Sequence, residues 1–189
     1  MTLEVEGSTL AAVPSFAGAG FAKVRVAGPR DNRSMAEWRV DRVGAALSGS
    51  NPTVLTRMAA GFAVIGDVQF LPGYCVLITD AVGVDALSDL SADARRDFLH
   101  SMDLLGEAVT NVCRRRDSSF RRVNLEILGN GDEFLHAHVW PRYDWEPPEV
   151  VHKPVWLYPA SHWTNPEFAL GDQHDALRSE LIAELARLS

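Results

Sequence analysis

The run from Ala92 to Arg115 does most to limit what this chain can fold into. Phe98, Met102, Leu105, Val109 and Val112 recur at four- and three-residue steps, which places them along one side of an α-helix. Ser91 stands where an N-cap hydroxyl would accept a free backbone N–H, and Asp93 falls in the first turn. Arg114, Arg115 and Arg116 crowd the C-terminal end, so charge complements the helix dipole at both ends. A long helix with a single apolar stripe needs a facing apolar layer. Short alternating runs before and after it point to an α+β fold, an antiparallel sheet of about five strands with the long helix packed on it.

Before the helix, Trp38 to Leu47 reads as a short helix with Trp38, Val43, Ala46 and Leu47 on one face. Phe62–Ile65 and Tyr74–Thr79 read as a hairpin or meander pair, with Pro72-Gly73 as the turn entering the second strand. After it, Val123, Leu125 and Ile127 alternate with Asn124 and Glu126 as in a half-buried strand. Gly129-Asn130-Gly131-Asp132 then breaks the chain. The next strand is expected over Phe134–Trp140, closed by Pro141, and a final one over Pro154–Tyr158. Asp172–Leu188 reads as an amphipathic helix carrying Leu177, Leu181, Leu185 and Leu188. Residues 1–34, rich in Gly, Ala, Ser, Val and Pro, lack sustained periodicity and are read as an N-terminal extension, either loosely ordered or an ordinary arm; residues 35–189 are expected to form a single domain with a C-terminal helical tail.

A net charge of -7 argues against a surface that coats nucleic acid or anionic membrane, though a few local donors suffice to hold a small anion. No apolar run approaches the roughly 20 residues that span a bilayer. Cys75 and Cys113 are expected as free buried thiols, and the absence of a basic-then-apolar leader pattern gives a cytoplasmic expectation.

Chemistry concentrates between Asn124 and Tyr143. On a strand, Phe134, His136, His138 and Trp140 share one face, and neighbours two apart lie roughly 6.5 to 7 Å from each other. Free imidazole titrates near pH 6.5, so at neutral pH one ring can attack as a nucleophile while its neighbour donates a hydrogen bond. Attack on phosphorus would give a phosphoramidate and split one hard displacement into two easier ones. Asn130 and the N–H groups around Gly129 and Gly131 could steady the developing charge. His-x-His also serves as a purely structural polar face, or as a metal-ligand pair. Zinc needs three or four protein ligands, and no further His or Cys stands at convincing spacing.

These residues resemble the histidine-triad family, whose hallmark is three histidines alternating with apolar residues, often followed by Pro-Arg. Val139-Trp140-Pro141-Arg142 fits the trailing element and makes His138 the third histidine and His136 the central, nucleophilic one. Gly129 lies seven residues before His136, which puts Asn130 at the family's usual glutamine position. Upstream, Gly61 to Ile78 resembles the family's strand, Pro-Gly-His turn and strand. The Leu-His-Ala-His and Pro-Arg-Tyr strings are similar to bacterial members described as diadenosine tetraphosphate hydrolases. Two positions depart from the pattern: Phe134 replaces the first histidine, and Tyr74 replaces the histidine after the Pro-Gly turn. A rival register makes His136 first and His138 central, but forfeits both anchors.

The resemblance implies a hydrolase acting on a dinucleoside polyphosphate or related nucleotide through a covalent nucleotidyl-histidine at His136. His138, Asn130 and Gly129 would bind phosphate, and Asp67 the ribose hydroxyls unless it is a turn acid. The alternative is a non-catalytic nucleotide-binding or interaction protein. No cofactor or protein-held metal is implied, beyond magnesium travelling with the substrate phosphates. A homodimer is implied, with C-terminal segments near the partner's site. Gln69 is either a polar wall or a solvent-facing strand residue, and Arg142 either meets a distal phosphate or forms a surface salt bridge. His162 and His174 are expected to be exposed.

Overall fold

The computed structural model describes residues 38–189; the extension 1–34 lies outside the described residues. A short helix α1 (Arg42–Leu47) leads into strands β1 (Val54–Met58), β2 (Gly61–Ile65) and β3 (Cys75–Ile78). The long helix α2 (Ala92–Arg116) follows, then β4 (Phe120–Glu126), β5 (His136–Tyr143), a short α3 (Ala160–Thr164) and the closing helix α4 (Asp175–Leu188). The strands form one five-stranded sheet in the order β1-β2-β3-β5-β4, with each neighbouring pair antiparallel. The expected α+β architecture is the observed one.

Ser91 caps α2 by accepting from the Ala94 N–H at 3.2 Å. The helix buries Phe98, Leu105, Val109 and Val112 against Ala63, Ile65, Cys75, Leu77, Ala137 and Val139, the alternate residues of the three central strands. Gly106 stands where a side chain would crowd Leu125 of β4: an added Cβ would lie 3.1 Å from a Leu125 methyl carbon. α4 buries Leu177, Leu181 and Leu185 in the same core, lying on α2 and β1. The described C-terminal helix is therefore part of the domain's own packing rather than an outlying tail. Cys75 and Cys113 are free and buried, as expected.

Several features differ from the sequence reading. β1 went unrecognised, because Val-Leu-Thr-Arg-Met carries a charge mid-run and its hairpin partner follows after only Ala59-Ala60. Pro154–Tyr158 is no strand: Val155–Leu157 makes a 3-10 turn, and β1 supplies the fifth strand instead. β5 starts two residues late and runs through Pro141 to Tyr143. Pro141 is tolerated because β3 has already ended opposite Val139, so on that side no ladder partner is lost. Leu47, assigned to the buried face of its helix, is 46% exposed.

Among the described residues no helix is long and apolar enough to cross a membrane.

Candidate active site

The face of the sheet opposite α2 carries Phe62 and Val64 from β2, Val76 and Ile78 from β3, and His136, His138 and Trp140 from β5. α1 covers one end of it, with Ala46 packed on Phe62, Val64 and Ile78. The aromatic segment after β5 covers the other: Trp140 stacks on Tyr74 at 3.5 Å between ring centroids, and Trp156 and Trp163 stand edge-on to it. His136 and His138 lie between these covers, their ring centroids 4.9 Å apart and nearly perpendicular.

Each imidazole has its Nδ1 held by a different partner. His136 Nδ1 lies 2.8 Å from the Phe134 carbonyl oxygen. A carbonyl only accepts, so Nδ1 carries a proton, and the neutral form of the ring keeps its lone pair on Nε2. His138 Nδ1 lies 2.8 Å from the Tyr74 hydroxyl. Burial first, and the charge of Asp67 next, hold the Tyr74 phenol well above its usual range, so it keeps its proton. Burial, then the neighbouring His136, drives the His138 pKa down to about 3, so this ring is neutral at pH 7. When the Tyr74 hydroxyl donates to Nδ1, the single His138 proton stands on Nε2, beside His136.

The other sequence candidates are placed less centrally. Asp67, just after β2, is held by Arg42 at 2.7 Å and by Arg39 at 3.4 Å. Arg42 lies one helical turn before Ala46 on α1, which explains why its guanidinium points to this end of the face. Gly129 and Asn130 are exposed in the β4–β5 loop, and the Asn130 side chain makes no hydrogen bond among the described residues. Their contact with a ligand is thus carried by the resemblance alone.

Several side chains play roles other than those expected. Gln69 is buried and organises the loop before β3: its Nε2 donates to the carbonyls of Gly66 and Tyr74, and its Oε1 accepts from the Gly73 N–H. Gly73 adopts φ 101°, a left-handed conformation that a residue with a Cβ rarely takes. Arg142 forms a buried rather than a surface ion pair. It is 4% exposed, paired through Nε with both Glu146 oxygens at 3.0 and 2.9 Å, and capped by the carbonyls of Val151 and Lys153. His162 packs among Phe70, Tyr158 and Phe168, and His174 is half-buried, so neither is the exposed tail residue expected. Sequence reasoning missed Arg42, which meets Asp67 across 25 residues with no local sequence signal. The tryptophans read as either base-stacking or core and subunit contacts include Trp156, which meets the His138 ring edge-on at 5.6 Å.

No family model and no curated protein matches the sequence. Solved structures do match. A histidine triad protein from Marinobacter aquaeolei VT8 aligns over 72% of this chain and 90% of its own, with a TM-score of 0.58 and 19% identity. A histidine triad protein from Sinorhizobium meliloti 1021 aligns over 69% and 87%, with a TM-score of 0.57 and 14% identity. A hypothetical histidine triad nucleotide-binding protein from Sulfolobus tokodaii strain 7 aligns over 78% and 93%, with a TM-score of 0.56 and 11% identity. This chain has the histidine-triad fold. At the two positions where the sequence departs from the resemblance, Phe134 supplies the backbone carbonyl that meets His136 Nδ1 and Tyr74 the hydroxyl that meets His138 Nδ1.

Proposed function

We propose that this protein is a nucleotidyl hydrolase in which His136 Nε2 attacks the α-phosphorus of a dinucleoside polyphosphate or related nucleotide. The carrying observation is the pair of adjacent imidazoles, each held through Nδ1 at 2.8 Å, by the Phe134 carbonyl and the Tyr74 hydroxyl; the reading takes the lone pair on His136 Nε2 and an N–H on His138 Nε2. Nε2 forms a bond to phosphorus as the bridging P–O bond breaks, and the remaining phosphate chain leaves with the electron pair. The His138 N–H hydrogen-bonds a non-bridging oxygen where charge accumulates. Water then attacks phosphorus, releasing a nucleoside monophosphate and restoring His136. Asn130 and Gly129, in the loop beside the start of β5, join in holding the phosphate, and Asp67, already charge-balanced by Arg42, meets the ribose. No protein-held metal enters these steps; magnesium on the substrate phosphates is compatible with them.

Phe134 favours a second reading, a nucleotide-binding protein without turnover, because phenylalanine cannot deliver a proton to the leaving oxygen. Single-turnover assays across mono- and dinucleoside polyphosphates separate the two. Stoichiometric release of nucleoside monophosphate supports the hydrolase, whereas a thermal shift without product supports the binder. The homodimer implied by the resemblance belongs to the same proposal. β4 is an edge strand whose Leu125 is 39% exposed, and the molar mass in solution tests the assembly directly.

A further inference from the structure

Away from the two histidines, a cavity of about 370 Å³ opens on the same sheet face at the β4 edge, between that strand and the segment 151–154. Arg122, Asn124 and Glu126 of β4 line one side, and His152 and Lys153 the other. The far wall is a built feature. Arg142 donates to the carbonyls of Val151 and Lys153 at 2.9 and 3.1 Å and so ties this segment to β5.

Charge inside the cavity is unbalanced. Arg122 stands directly across the strand pair from Arg142. Like charges in that relation repel, and Glu146 neutralises Arg142 alone. Arg122 and Lys153 are both exposed, and neither side chain has an acidic partner among the described residues. In a chain of net charge -7, two uncompensated cations facing one concave space mark a place for an anion. At the inner end Glu126 is half-buried, with Oε2 sealed from solvent. Burial pushes the Glu126 carboxyl above its usual range, which Arg142 and then the Trp140 indole N–H partly offset. Glu126 also lines the cavity, where a carboxylate accepts hydrogen bonds and donates none when ionised.

We propose that this cavity binds a phosphorylated, hydroxyl-bearing small molecule, its phosphate between Arg122 and Lys153 and a hydroxyl donating to Glu126. The volume lies within the range of small-molecule sites. The proposal stands independently of phosphoryl chemistry at His136. Calorimetric titration of the full chain with ribose 5-phosphate, and separately with inorganic pyrophosphate, tests it. Arg122→Gln/Lys153→Gln is expected to weaken both probes about tenfold or more, since each loses charge-assisted hydrogen bonds. Glu126→Gln is expected to weaken ribose 5-phosphate but to strengthen pyrophosphate, which has no hydroxyl and feels only the lost negative charge. The single variant Lys153→Gln, at an exposed position outside any helix or strand, keeps the test valid if the double variant is unstable. Absence of binding to the unaltered protein would overturn the proposal. So would affinity indifferent to Arg122 and Lys153, which would put the phosphate elsewhere, or Glu126→Gln acting alike on both probes.

Discussion

At the scale of single residues, the site works through two second partners. The Phe134 carbonyl and the Tyr74 hydroxyl each hold a histidine Nδ1 at 2.8 Å and so fix the orientation of both rings. The two contacts respond differently to substitution. A backbone carbonyl survives any side-chain change at position 134, whereas the contact to His138 depends on the Tyr74 side chain itself. Tyr74→Phe removes that contact, leaves the buried His138 Nδ1 unsatisfied and is expected to cost about 1–3 kcal/mol of stability, measured by denaturant titration. His138→Ala is expected to slow turnover roughly 10²- to 10³-fold while leaving a measurable reaction, because one donor to the developing charge is lost and the pathway is kept. Rates unchanged in His138→Ala would remove His138 from the chemistry.

At the scale of elements, the parts that were legible in the sequence are those whose signal is local and periodic. The α2 stripe from Phe98 to Val112, the turn at Pro72-Gly73, and the face shared by His136, His138 and Trp140 all follow from spacing along the chain. What escaped depends on contacts distant in sequence. β1 becomes a strand through its pairing with β2, not through its own composition, and Val155–Leu157 is closed into a turn by its own backbone, with the Leu157 and Tyr158 N–H groups donating to the Pro154 and Val155 carbonyls. Arg142 itself could only be read as a functional or surface charge, because its partner Glu146 sits in a turn that gives no sign of burial. That pair is among the least exposed charged groups described, and Tyr158 Oη and the Tyr143 N–H complete the carboxylate's bonding at 2.5 and 2.6 Å. Glu146→Ala would leave Arg142 buried without a counter-charge, and is expected to destabilise the protein by about 3–5 kcal/mol. Asp67→Ala, at a more exposed pair, is expected to cost about 1 kcal/mol or less. Equal losses in thermal unfolding would refute the assignment of Arg142 as the clamp of the 150–154 segment.

At the scale of the whole molecule, one sheet has two different faces: one is consumed by α2 and α4 as a core, and the other carries the two histidines between α1 and the aromatic segment. Burying a neutral histidine on that second face links stability to pH. Unfolded, His138 binds a proton near its ordinary pKa; folded, only at about 3. The unfolded state thus holds more protons between those values, so this contribution is complete above about pH 6.5 and is lost as pH falls towards 3, at about 1.4 kcal/mol per unit. Urea unfolding at stepped pH should show that acid limb, and His138→Asn should flatten it; an unchanged limb in the variant would assign the slope to other groups. The central claim, that His136 Nε2 is the nucleophile, is tested most directly by rapid-quench mass spectrometry of the protein mixed with diadenosine tetraphosphate. The account predicts a nucleotidyl adduct on His136, absent in His136→Asn. An adduct on His138, or turnover persisting in His136→Asn, would contradict it.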